Sequence, residues 1–130
     1  MVGAIVHHDG DVLLLERVPD DFLGGIEELP SGGVEDGETL IGALAREPAE
    51  EIGWTGPPAI DSRFVGSFDY TSASGRRARQ FTVSVYAEGR AVVLSDEHAA
   101  HRWIHPSALA GARVTPETEA VIREWVSSHQ

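Results

Sequence analysis

The chain contains no cysteine and no lysine. Without cysteine there are no disulfides, no thiolate nucleophile and no cysteine-ligated zinc. Without lysine there is no Walker-type phosphate loop, no Schiff-base chemistry and no serine–lysine dyad, because each needs the ε-amine. Positive charge of any kind is scarce: ten basic residues, all arginine, face 21 acidic ones, for a formal net charge of -11. A chain this acidic is repelled by nucleic-acid backbones and anionic membrane surfaces, so neither is expected as a partner. If it handles a phosphorylated small molecule, the missing positive charge must come from elsewhere, and a divalent metal is the obvious source. Long apolar runs are also missing, which excludes a membrane-spanning helix. The first residues, Met1 to Val6, turn polar at His7-His8-Asp9, far short of a signal sequence, so the expected compartment is the cytoplasm.

What is present is ordinary globular material. The 130 residues are 42% hydrophobic and 24% charged, enough for one core and one domain spanning residues 1–130. Val2 to Val6 and Val12 to Leu15 are apolar runs around Asp9-Gly10-Asp11, which predicts a β-hairpin. Asp20 to Gly25, Pro30-Ser31-Gly32-Gly33 and Asp36-Gly37 read as loop and turn. From Thr39 the period changes: Leu40, Ile41, Leu44, Ala45 and Ile52 recur at helical spacing, with Thr39 as N-cap and Gly53 as terminator. Trp54 to Pro58 is a turn-rich connection. Strands are expected over Arg63 to Tyr70 and Arg79 to Tyr86, around the polar tip Thr71 to Gly75, with further short β-like runs at Ala91 to Leu94 and His101 to Ile104. A last helix starts at Thr115, with Pro116 at its first position and Glu117 complementing its dipole, and carries the stripe Val121, Ile122, Trp125 and Val126. The expected class is mixed α/β.

The central helix concentrates carboxylates. At about 100° per residue, Glu47, Glu50 and Glu51 share an arc of roughly 100°, while Ile41, Ala45, Pro48 and Ile52 form a different face, expected to be the buried one. Like charges at this spacing cost a helix roughly 0.2–0.5 kcal/mol per pair. One reading is a solvated acidic face; the other is a set of oxygen ligands for Mg²⁺ or Mn²⁺, with the glycine-rich loop letting backbone approach an ion or a phosphate.

The full spacing favours the second reading. Gly32, five residues, Glu38, seven residues, Arg46-Glu47, two residues, Glu50-Glu51, one residue, Gly53: this resembles the signature of the Nudix hydrolase (MutT-like) family, and Leu29 to Val34 resembles its usual approach to the loop. The resemblance implies an α/β/α sandwich with a mixed sheet. It also implies an enzyme that hydrolyses a diphosphate bond in a nucleoside diphosphate linked to another group, such as a (d)NTP, a dinucleoside polyphosphate or a nucleotide sugar, with Mg²⁺ or Mn²⁺ as cofactor. Carried over by position, Glu50 and Glu51 would be metal ligands, joined by the carbonyl of Ser31, and Glu47 a further ligand or the general base. Arg46 would orient the carboxylates and pair with Glu38, while Gly32, Gly33 and Gly53 would shape the motif. Glu97, before Trp103, stands where a later loop of the family often adds an acidic group, and Arg17 resembles a phosphate-contacting position. The isomerase branch, which needs a catalytic cysteine, is excluded. The motif of coenzyme A-cleaving relatives is only faintly echoed by Leu13 to Arg17. A homodimer is compatible with the family.

Two positions depart from the pattern. Pro48 and Trp54 stand where medium-sized aliphatics are expected. Proline inside a helix removes a hydrogen bond and clashes with the preceding turn, at roughly 3 kcal/mol, and biases Glu47 away from helical geometry. A kink about Pro48 is the expectation. A nucleotide-binding domain without turnover is the alternative that this proline raises. For substrate choice, Tyr70 stands where some dinucleoside-polyphosphate hydrolases carry tyrosine and ADP-ribose-cleaving relatives a nearby proline. Phe68, Tyr70 and Phe81 could stack on a base or belong to the core. Arg76, Arg77 and Arg79 form the basic cluster, available to phosphates or simply a polar hairpin tip. The histidines show no metal-ligand spacing and are expected in surface or loop positions.

Overall fold

In a computed structural model, the described residues are 1–19, 24–56, 58–72, 74–89 and 91–128. The predicted hairpin forms from β1 (Val2–His8) and β2 (Asp11–Arg17), which turn through Asp9 and Gly10, both at positive φ. The two strands pair only beside the turn, His7 with Val12 and His8 with Asp11. Farther along, each takes a different partner. Two short strands, β3 (Glu27–Glu28) and β4 (Ser31–Gly32), pair with β2 and β1 respectively, so residues 27–32 fill the gap where the hairpin opens.

β5 (Ile60–Thr71) and β6 (Arg77–Tyr86) form the long second hairpin, with Gly75 at positive φ in its tip. β6 joins β1 in parallel, and β7 (His98–Ile104) lies antiparallel along β2. The sheet is therefore mixed, with order β3-β2-β1-β6-β5, β4 attached to β1 and β7 to β2.

Both faces of the central strands are covered, which explains why they read as continuous apolar runs and not as alternation. Ile5, Val12 and Leu14 pack with Leu109, Val121, Ile122 and Trp125 on the side of the C-terminal helix α2 (Pro116–Ser128). Ala4, Val6, Leu13 and Leu15 pack with Ile52, Trp54 and Val85 on the side of α1 (Leu40–Ile52). The result is the expected α/β/α sandwich. Helix α2 begins as predicted: the Thr118 amide donates to Thr115 Oγ1 at 3.3 Å.

The structure corrects the sequence expectations at several points. The buried stripe of α1 is Ala43, Leu44, Glu47, Pro48, Glu51 and Ile52. Ile41, expected inside, is 60% exposed, because the buried stripe of the first turn runs through Ala43 and leaves Leu40 and Ile41 on the outer side. Ala91 to Leu94 forms no strand. Its Val93 amide and that of the following Ser95 serve the helix end instead, donating to the Ile52 carbonyl at 3.0 Å and the Glu51 carbonyl at 3.1 Å, carbonyls that a helix terminus leaves without partners. Strand β7 begins at His98, earlier than the expected His101. The loop expected over Asp20 to Gly25 lies outside the described residues at positions 20–23, as does residue 73 of the hairpin tip.

Candidate active site

Helix α1 is set between two effective caps. Thr39 Oγ1 accepts from the Gly42 amide at 2.9 Å, and Gly53, in the left-handed region at φ 73°, closes the other end. Between them the helix is continuous through Pro48. The proline costs its hydrogen bond, but Glu47 keeps helical geometry. Trp54, the second departure from the pattern, is buried in the core and donates its indole N–H to the Ala91 carbonyl at 2.8 Å.

The three glutamates of the motif do not share one environment. Glu47 and Glu51 are buried, whereas the Glu50 side chain is 58% exposed at the rim. Glu47 lies directly over the β4 backbone: a Cβ added to Gly32 would overlap its carboxylate. Any side chain at position 32 would have to displace that carboxylate. Glu51 Oε1 accepts from the Ser31 amide at 2.8 Å, so β4 touches both buried acids.

Arg46 ties the loop to the helix. Its Nε and Nη2 donate to the two oxygens of Glu38, each at 2.9 Å, and Nη2 also reaches the Gly33 carbonyl at 2.6 Å. Nη1 donates to Glu47 at 2.8 Å and Glu50 at 3.2 Å. The arginine hydrogen bonds pull the Glu38 carboxyl down to about 2 and raise Arg46 itself. The expected pairing of Arg46 with Glu38 is present, as part of a wider clamp.

Glu51 has little compensation. Burial first, then the charges of Glu47, Glu28 and Glu97, push its pKa up to about 9, against the single opposing hydrogen bond from Ser31. Burial likewise raises Glu47, although Arg46 opposes it. A buried carboxylate among others is costly without a cation. The segment that caps α1 leads into another acid two residues beyond Ser95, Glu97, and ligand atoms of Glu51, Glu97 and His98 lie within 4.8 Å of one another. This donor set, mostly carboxylate oxygen and short of positive charge, fits a hard divalent cation.

A cleft of about 450 Å³ is bordered by Arg17, Glu28 and Ser31 on one side and by Phe68, Tyr70 and Gln80 on the other, and it meets the motif through Ser31, whose amide holds Glu51. Its size suits a small-molecule site. A larger depression of about 750 Å³ between β5 and α2 is remote from the carboxylate cluster. Arg17 and Tyr70 thus face the same space as Ser31, with Arg17 held by Glu28 at 2.7 Å. Arg79 does not join them; it is paired with Asp69 at 2.7 Å on the exposed hairpin.

Two residues of the region escaped the sequence reading. Glu28 sits on a two-residue strand too short to leave a periodic signal. His98 was expected at the surface; its side chain is 1% exposed, between Glu28 and Glu51. His7 is also buried, with its ring 5.1 Å from that of Trp125 and 4.8 Å from that of Tyr86. The signal for His98 was its place beside Glu97, which burial alone could reveal.

Comparison with known proteins agrees with this geometry. A family model, the NUDIX domain, matches residues 1–126. A 53-residue stretch is 51% identical to a Mycobacterium tuberculosis protein carrying the name 8-oxo-dGTP diphosphatase 2, covering 41% of this chain but only 37% of that protein. The nucleoside triphosphatase NudI of Escherichia coli is 27% identical over 138 aligned positions, covering 95% of this chain and 93% of NudI. Among solved structures, the MutT protein of Methanosarcina mazei superposes with a TM-score of 0.83 at 25% identity, over 99% of this chain and 93% of that one. An Ap4A hydrolase of C. elegans shares the fold, with a TM-score of 0.82 at 21% identity over 97% and 93% of the two chains. Motif, fold and family match agree, and the chain belongs to the Nudix hydrolase family.

Proposed function

We propose that this protein is a divalent-metal-dependent pyrophosphohydrolase that cleaves a diphosphate bond in a nucleotide, with nucleoside triphosphates as the first class to test. The observation that carries the reading is the burial of Glu47 and Glu51 against β4, with Gly32 leaving room for one and Ser31 holding the other, Ser31 itself lining the cleft that Phe68 and Tyr70 border. The names of the M. tuberculosis and E. coli relatives support a nucleoside triphosphate substrate.

Glu50, Glu51 and the Ser31 carbonyl, with Glu47, would hold Mg²⁺ or Mn²⁺. The chemistry gained when such an ion is bound is neutralisation of the diphosphate charge and activation of water. The remaining roles belong to the chain. Arg46 fixes the Glu47 carboxylate through a short hydrogen bond and keeps the glycine loop in register. Glu47 or Glu97 accepts the proton of the attacking water, the task of a carboxylate within reach of the reacting centre. Arg17 meets a phosphate oxygen at the cleft edge, and Phe68 and Tyr70 offer ring faces to the base. Arg79, held by Asp69 away from the cleft, takes no part. Such an enzyme would work on cytoplasmic nucleotides, and no helix among the described residues is long and apolar enough to cross a membrane.

The test is product release from a panel of (d)NTPs, dinucleoside polyphosphates and nucleotide sugars with Mg²⁺ or Mn²⁺. Turnover that disappears in Glu50→Gln and Glu51→Gln is the expected result. Saturable nucleotide binding with no product would favour a binding domain instead.

A further inference from the structure

His98 is a side chain whose position the carboxylates alone do not explain. It is 99% buried by side-chain area (the complement of 1% exposure), yet neither ring nitrogen has a hydrogen-bond partner. Native structures rarely leave buried polar atoms in this condition. Each nitrogen faces a different carboxylate: Nδ1 stands 3.9 Å from Glu51 Oε2, and Nε2 stands 3.5 Å from Glu28 Oε1.

The two gaps are chemically distinct. Two metal–ligand bonds of about 2.1 Å separate their donor atoms by about 3.0 Å at a right angle and about 4.2 Å in line. The Nδ1-to-Glu51 distance falls inside that interval, and Glu51, Glu97 and His98 each offer one ligand atom within 4.8 Å of the other two. On the other side, Glu28 Oε1 already accepts from Arg17 Nη1 at 2.7 Å, which fixes it as an anchor for the Nε2 proton. A histidine that binds metal through one nitrogen characteristically donates the other N–H to a carboxylate, which sets its tautomer and ring plane.

We infer that His98 Nδ1 is a ligand of the divalent cation, together with Glu51 and Glu97, and that Glu28, clamped by Arg17, orients the ring for it. The inference rests on the proposed metal-dependent function. An imidazole in an otherwise oxygen-lined site shifts its preference from Mg²⁺, which favours all-oxygen coordination, towards first-row ions that accept nitrogen, of which Mn²⁺ is the hardest.

The experiment is pulsed EPR on the full chain loaded with Mn²⁺, which needs no substrate and no turnover. Electron spin echo modulation from a directly coordinated ¹⁴N is expected in the wild type, changing to a ¹⁵N pattern on histidine labelling and vanishing in His98→Gln. In that variant Mn²⁺ affinity should fall about tenfold or more, and Mg²⁺ affinity should fall less. If His98→Gln does not fold, His98→Asn takes its place, since histidine labelling alone does not say which of the six histidines is coordinated. Mn²⁺ bound under the control of Glu51 but without nitrogen coupling would overturn the inference and leave the proposed function standing. No uptake of Mn²⁺ or Mg²⁺ would overturn both.

Discussion

Gly32 and Glu47 are in such close contact that the glycine Cα hydrogen faces the carboxylate, and any β-carbon would occupy its space. Gly32→Ala should therefore push Glu47 away from its position while leaving the sheet paired. Displacements of this size at a reacting centre cost on the order of 100-fold in rate. The expected outcome is a loss of that order in kcat with an unchanged circular dichroism spectrum. Full activity in the variant would show that Glu47 is not placed by β4.

Glu51 makes the metal-free protein sensitive to alkali. Its pKa is raised from 4.5 to about 9 in the fold, so the folded state binds more protons than the unfolded chain between those limits. Its contribution to stability is complete below the lower value and is lost as pH rises through the upper one. Thermal unfolding in EDTA should show Tm falling between about pH 5 and pH 9, and Glu51→Gln should flatten that fall. Cation binding, which requires the charged carboxylate, should release close to one proton at neutral pH. Calorimetry in buffers of different ionisation enthalpy measures this directly.

Arg46 acts through geometry as well as charge. Arg46→Lys preserves the cation but cannot reproduce a fork that serves Glu38, Gly33 and Glu47 together. Metal affinity should fall roughly 10–100-fold, the usual effect of removing a residue that orients ligands, and Tm should drop. An affinity unchanged by the lysine would mean that a positive charge anywhere near Glu47 is sufficient.

Pro48 can be tested against the aliphatic residue that the motif prefers. Because α1 is already continuous across it, Pro48→Val should restore a helical hydrogen bond and raise Tm, while turnover stays within a few-fold. A large gain in turnover or metal affinity would instead reveal that the proline distorts the glutamates.

The sheet and both helices were legible because their apolar spacing and caps are local: Thr39 and Gly53 around α1, Thr115 and Pro116 at α2, and Asp9-Gly10 between β1 and β2. The motif likewise singled out Arg46, Glu47 and Glu51, which the fold sets against β4 and its loop. What stayed hidden depends on distant pairing. Ala91 to Leu94 has strand-like composition, yet the amides of Val93 and the adjoining Ser95 are spent on the end of α1, forty-odd positions earlier in the chain. Glu28 and His98 meet only because β3 and β7 both add to β2, a relationship that no spacing within either segment encodes. The sequence also treated the glutamates as one face, whereas depth separates Glu50 at the rim from its two buried neighbours.

The opening of the first hairpin has a consequence for how such a protein can change. Because residues 27–32 are wedged between β1 and β2, one short stretch supplies Glu28 and Ser31 to the cleft wall and Gly32 to the seat of Glu47. An insertion or deletion there would strike recognition and reactivity together. The β5–β6 hairpin, which contributes Phe68 and Tyr70 but none of the clustered acids, is free to drift. New specificities should accordingly arise by editing that hairpin, leaving the wedge untouched.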